Sequence, residues 1–162
     1  MDAENNPALR RYVIYSRVLS PDGEKLAITW SGRRNASLKL TTLDHTPKQI
    51  WVVSDSVMPA FSPDVARGLE VGRGDGNTLV VFPPGGHRWV LEPSPDGYAI
   101  RDQARRVCWS VPHPVVNSRI SIGNDAGLLS RWVLERVYYG VTVGPSRGIP
   151  VDVRFVVSSV RN

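Results

Sequence analysis

The sequence predicts an all-β fold built from three four-strand repeats, and three observations carry that prediction. Trp51, Trp89 and Trp132 are each followed by two aliphatic residues and recur roughly 40 residues apart, the spacing of an internal repeat. Short apolar and polar alternations separated by turn residues fill the chain between them. Nowhere does an i, i+3, i+4, i+7 apolar stripe persist over three helical turns.

The elements follow in order. Tyr12-Val13-Ile14-Tyr15 is a β-branched and aromatic run, closed by Ser20-Pro21-Asp22-Gly23, a turn sequence. Residues 24–30 alternate and meet Ser31-Gly32; residues 37–43 alternate again before Asp44-His45-Thr46-Pro47; residues 49–53 complete the first repeat. The second repeat predicts strands at 57–61, 69–71, 79–82 and around Trp89, with turns at Ser62-Pro63-Asp64 and Gly72 to Gly76. Pro83-Pro84-Gly85-Gly86 forces a sharp connection, because each Pro fixes φ and lacks an N–H. The third repeat predicts strands at 98–100, 106–109, 119–122 and 131–137.

One such unit cannot bury its apolar face alone, so twelve strands in three units predict a β-trefoil over residues 10–137, with Trp51, Trp89 and Trp132 in a shared core. A polar leader, residues 1–9, precedes it. Residues 138–162 form an extension in which 141–143 and 151–155 predict an extra hairpin about the turn at 144–148. Its exposed edge offers a route to a homodimer.

Composition narrows the function. Chain length suits one domain, and 41% hydrophobic with 22% charged residues is ordinary globular content. No apolar run approaches the ~20 residues of a membrane span, so no membrane insertion is expected. The net charge of +5 is spread over dyads such as Arg10-Arg11, Arg33-Arg34 and Arg105-Arg106, without the basic stripe and interleaved aromatics of a nucleic-acid binder. A single cysteine, Cys108, and an acidic leader without a signal-peptide pattern give the expectation of a cytoplasmic protein. His45, His87 and His113 lack metal-ligand spacing, and Gly72 to Gly76 lacks the Lys-Ser/Thr ending of a phosphate loop. The expectation is therefore no metal, no cofactor and no enzyme activity.

Three stretches carry a more specific likeness: residues 15–29 (Tyr15-Ser16-Arg17-Val18-Leu19-Ser20-Pro21-Asp22-Gly23 and onward), Val80-Val81-Phe82-Pro83-Pro84 through Trp89, and residues 131–137. Together they resemble the small ricin-B-type β-trefoil lectins of mushroom fruiting bodies, most closely those of ink-cap type that bind fucosylated N-glycan cores. The resemblance covers residues 10–137. It implies a non-enzymatic defence protein whose partners are glycans or glycoproteins, recognising fucose attached to N-acetylglucosamine on animals that feed on the fungus.

The implied carbohydrate-binding residues are Gly72, Arg73, Gly74, Asp75, Phe82, Gly85, Gly86, His87 and Trp89. The resembled lectins carry a Trp at the position of Arg73 and a Tyr at that of His87. Sugars stack their C–H faces on aromatic rings and use hydroxyls for directional hydrogen bonds. Two fewer rings therefore shift the expected balance toward polar contacts. The same fold also serves mushroom protease inhibitors, for which the loops at 102–106 or 111–117 would be the working surface.

Overall fold

The structure, a computed structural model, describes residues 10–143 and 150–158, with side chains as far as Tyr138. The first repeat supplies β1 (Arg11–Ser16), β2 (Leu26–Thr29), β3 (Lys39–Thr42) and β4 (Ile50–Val53). The second supplies β5 (Phe61–Pro63), β6 (Glu70–Arg73), β7 (Leu79–Phe82) and β8 (Val90–Ser94), and the third β9 (Gly97–Arg101), β10 (Cys108–Ser110), β11 (Ser121–Gly123) and β12 (Trp132–Val143).

Two strands from each repeat build a barrel. Antiparallel ladders run β12 to β1, β1 to β4 and β4 to β5 on one side, and β8 to β9 and β9 to β12 on the other. The ring closes where the Trp89 amide donates to the Pro59 carbonyl at 3.1 Å. The remaining strands pair as three hairpins, β2 with β3, β6 with β7 and β10 with β11. Single bridges join each hairpin to the other two, at Ser37 with Val80, Lys39 with Arg119 and Thr78 with Ser121. That triangular cap over a six-strand barrel is a β-trefoil, as the repeats predict.

The recurring Trp residues occupy one equivalent position three times. Trp51 Nε1 donates to Ile28 O at 3.0 Å, Trp89 Nε1 to Val71 O at 2.9 Å, and Trp132 Nε1 to Trp109 O at 3.0 Å. Each acceptor lies on the second strand of the same repeat, so each indole fastens its barrel strand to its own cap hairpin. All three rings belong to one core with Phe61 and Trp109, whose centroids are 5.0 Å apart. Trp89 meets Trp109 edge-on at 5.2 Å. Period-two alternation along β1 sends Ile14 into this core, while Val13 and Tyr15 enter a smaller cluster with Ala27, Ile50 and Val137.

The predicted strand at 57–61 is displaced. Val57 is 93% exposed, and the strand is β5, which takes in Ser62 and Pro63 from the predicted turn. The cause is local: the Ser54 amide donates to the Ala60 carbonyl at 3.0 Å, and the Ser54 Oγ accepts from the Ala60 amide at 2.8 Å, closing a loop before the strand can begin. Pro63 is tolerated because β5 ladders only with β4 among the described residues. The turn falls instead at a 3-10 segment, Asp64–Ala66.

A hairpin does form beyond the trefoil. Its first arm is β12 itself, which pairs antiparallel with β13 (Pro150–Ser158) from Arg136 opposite Ser158 to Val143 opposite Pro150. The ladder breaks register between Gly140 and Thr142. The predicted turn at 144–148 and the leader lie outside the described residues.

One loop of the third repeat is tied by charge. Asp125 accepts from both terminal nitrogens of Arg131 at 3.0 Å, from Arg101 at 2.9 Å and from the Gly127 amide at 3.0 Å. The Arg131 hydrogen bonds above all, with those of Gly127 and Arg101, outweigh desolvation and lower the Asp125 carboxyl from 3.8 to about 2. The folded state favours the carboxylate, so its contribution is complete above the unfolded value and is lost as pH falls from 3.8 toward 2. Asp125→Asn should lower the urea midpoint at neutral pH and flatten its fall across that acid window. A midpoint that declines there as steeply as in the native protein would rule the contribution out.

Candidate functional site

In each repeat the loop leading into the Trp is organised by one side-chain acceptor turned inward. Gln49 Oε1 takes the Asp44 and His45 amides at 2.9 and 3.2 Å, and Ser130 Oγ takes the Ala126 amide at 2.9 Å. The second repeat uses a carboxylate for this task. Glu70 Oε2 accepts from the amides of Gly85 and His87 at 3.4 and 3.2 Å, while Oε1 accepts from Arg88 at 3.3 Å. A hydrogen bond to a charged acceptor is stronger than a neutral one, so Glu70 fixes the path of the Pro-Pro-Gly-Gly loop across the β6–β7 hairpin.

That path lays the His87 ring on backbone. A Cβ at Gly72 would stand 2.5 Å from His87 Nδ1, and one at Gly85 would stand 3.1 Å from Nε2. The opposite support is Phe82, stacked on the imidazole at 5.2 Å between centroids and 19° between planes. Gly86, with φ of +75°, makes the reversal just before His87 in a region that side chains disfavour. His87 is thus held in one orientation by Gly72, Phe82, Gly85 and the Glu70 carboxylate.

Beside it opens a pocket of about 220 Å³, lined by Arg73, Gly86, His87, Arg88 and Trp89 of the second repeat and by Asp102, Gln103 and Ile122 of the third. The Arg73 guanidinium is aimed by Asn77, whose Oδ1 accepts from its Nε at 3.2 Å and from a terminal nitrogen. Gly74 keeps that turn tight, since a Cβ there would lie 2.4 Å from Val80 Cγ2.

The structure therefore sorts the nine residues expected to meet a sugar. Arg73, Gly86, His87 and Trp89 share the pocket; Gly72, Phe82 and Gly85 position His87 from behind; Gly74 and the exposed Asp75 stay in the β6–β7 turn. Trp89 lines the pocket but is 4% exposed and is committed to the core through Val71, so it offers no open ring face. Glu70, Arg88 and Ile122 were missed by sequence reasoning, and Asp102 and Gln103 entered it only within the alternative inhibitor loop at 102–106. Glu70 carried one faint signal, a carboxylate opening a strand just before a glycine-rich turn.

The alternative inhibitor loops are both on the surface. Asp102 Oδ1 accepts from the Arg106 and Val107 amides at 2.8 and 3.1 Å, which ties residues 102–106 into a compact turn, and Val115 and Val116 are exposed in the other.

A six-strand barrel, a triangular cap and an organised loop before each repeat Trp define a β-trefoil. The chain belongs to the CCL2 lectin-like family, whose model matches residues 10–132. A search among curated proteins gave no match. Among solved structures, the Rhizoctonia solani agglutinin is similar at a TM-score of 0.62 and 17% identity, over 80% of this chain and 96% of that one. The C-half of an earthworm R-type lectin in complex with GalNAc is similar at 0.62 and 11% identity, over 78% of this chain and 98% of that one. A mosquitocidal holotoxin is similar at 0.68 and 10% identity over 80% of this chain, which spans 17% of the toxin's length. At these identities the structures share the fold.

Proposed function

We propose that this protein is a non-enzymatic lectin that binds glycans through the second-repeat pocket, with fucosylated N-acetylglucosamine of N-glycan cores as its target and defence against fungus-feeding animals as its role. The observation that carries the reading is the immobilised His87 ring beside Arg73, because a preorganised polar group costs little further entropy on binding. The pocket is smaller than the ~300–1,000 Å³ of drug-sized ligand sites, which suits a single sugar ring. Ile122 supplies an apolar margin for the methyl of a deoxy sugar, while Arg73, Arg88, Asp102 and Gln103 supply donors and acceptors for hydroxyls. Lectin-like family membership supports the carbohydrate reading.

A glycan array probed with the native protein and with His87→Ala tests it. The native protein should bind fucosylated cores, and His87→Ala, which removes a partly exposed ring, should lose about tenfold in affinity, equivalent to about 1.4 kcal/mol, with little change in Tm. Silence across the array, or undiminished binding by a folded His87→Ala variant, overturns the proposal. Trp89→Ala is a poor test, because it empties the core and disturbs the fold as well.

A further inference from the structure

A second and larger pocket, of about 690 Å³, opens at the end of the barrel where the chain passes from one repeat to the next. Its walls are the connection between β4 and β5, the β8–β9 turn, the start of β1 and part of β12. None of the six cap strands lines it, and it shares no residue with the second-repeat pocket. Its apolar lining continues the main core, to which Val53 and Trp132 belong and against which Tyr12, Leu91 and Leu134 pack. Its volume is within the range of sites that enclose a ligand of several rings.

The charges in this lining are already engaged. Arg10 pairs with Asp55 at 3.8 Å. The Arg136 guanidinium lies over the Tyr12 ring at 5.5 Å and the Tyr138 ring at 5.3 Å, and it has a further interaction partner. Arg10, Asp55 and Arg136 are the charged residues of the lining, so no ion is left for a ligand to neutralise. A charged ligand would lose its hydration there without gaining a counter-ion, which favours an uncharged one.

The hydroxyl groups sort differently. Ser54 Oγ accepts from the Ala60 amide at 2.8 Å, Ser56 Oγ accepts from the Met58 amide at 3.3 Å, and Ser94 Oγ donates to the Gly97 carbonyl at 2.8 Å. Those three serve their own loops. The hydroxyls of Tyr12, Tyr98 and Tyr138 make no hydrogen bond with any described residue. A phenol both donates and accepts, as does each hydroxyl of a sugar, whereas a proline-rich segment offers carbonyl acceptors alone. Aromatic residues, unengaged phenols and balanced charge together describe the complement of a neutral sugar.

We propose that this barrel-end pocket is a second carbohydrate site, for a short neutral oligosaccharide that exchanges hydrogen bonds with the hydroxyls of Tyr12, Tyr98 and Tyr138 and lays its C–H faces on the apolar lining. The assignment does not rest on the second-repeat site. Two separate sites on one chain would let the protein hold a branched glycan at two points, which raises avidity through effective concentration.

The test is an amide-detected NMR titration of the full chain with three neutral trisaccharides, maltotriose, cellotriose and triacetylchitotriose, set beside trigalacturonate and a short proline-rich peptide. At least one neutral trisaccharide should shift amides at residues 54–56, 97–98 and 134–138, and added salt should leave its affinity unchanged. Tyr98→Phe removes only a hydroxyl and should weaken that ligand about threefold to tenfold, the worth of one hydrogen bond. Tyr138→Ala, at a half-exposed position, should weaken it about tenfold. A silent glycan array with these shifts present would overturn the second-repeat reading and support this one. Shifts confined to residues 73 and 85–88 overturn the proposal, as does the absence of any shift at ~10 mM trisaccharide, where a ~1 mM site is filled. Barrel-end shifts with trigalacturonate or the peptide and none with a neutral trisaccharide also overturn it, as do native affinities in both Tyr variants.

Discussion

Trp132→Ala should destabilise the protein by about 3–5 kcal/mol, measured as the change in urea unfolding free energy. The indole is completely buried in the main core, and its removal leaves a cavity where β12 crosses the third cap hairpin. It also strands the Trp109 carbonyl that accepts the Nε1 bond at 3.0 Å. These two losses can be separated. Trp132→Phe refills much of the volume but still lacks the donor, so it should retain a deficit of about 1–3 kcal/mol from the unsatisfied carbonyl alone. Trp51→Phe should behave alike, because its Ile28 bond is the same contact in the first repeat. If either Phe variant matches the native protein in stability, the indole bonds are not the fastening proposed for each repeat.

Gly72→Ala should remove glycan binding at the second repeat while the fold stays intact. The added methyl would sit 2.5 Å from His87 Nδ1 and 2.8 Å from Cε1, well inside any real carbon contact, so the imidazole must leave its place over Phe82. The backbone itself need not move, since the obstructing atoms belong to a side chain at the surface. Affinity should fall at least about tenfold, with a stability change under about 1 kcal/mol. The double variant Gly72→Ala with His87→Ala should bind no worse than His87→Ala alone, because both act through one ring. Additive losses in that cycle would show that Gly72 serves binding by another route.

The repeats were legible because tryptophan marks them at the surface of the sequence. Each repeat Trp, with its paired aliphatics, occupies the same site, and the turns at Ser20-Pro21-Asp22-Gly23 and Pro83-Pro84-Gly85-Gly86 separate strands where expected. Val57 to Phe61 misled because an apolar stretch was counted as strand, whereas the Ser54 hydroxyl and the Ala60 backbone compete for those residues and close a loop. A side chain reaching six residues along the chain leaves no periodicity to read.

The site was legible as a neighbourhood and not as a mechanism. The resemblance pointed to the loop at 82–89 and included both Trp89 and His87 among its sugar-binding residues. The hydrogen bond to Val71 shows how the first is fastened in the core the repeats predict, and the bare backbone of Gly72 with the stacked Phe82 ring shows how the second is held. Glu70 was invisible for a related reason, because a carboxylate at the start of a strand looks like any solvated charge until the loop folds over it. Contacts made between β6 and residues 85–88 depend on the tertiary path and carry no short-range pattern.

The pairing of β1 with β12, in register from Arg11 opposite Val137 to Ser16 opposite Trp132, also sets the order of events in time. One edge of β1 pairs with β4 and β2 inside the first repeat, but the other finds β12 only when nearly the whole trefoil has been made. Until then the β12-facing edge of β1 keeps its backbone groups unpaired and the cluster of Val13 and Tyr15 lacks Val137. Such distant closure carries a high loop entropy and slows folding relative to locally connected domains. It also brings the two ends of the trefoil side by side, so a circularly permuted chain opened at a cap hairpin can recover the same barrel.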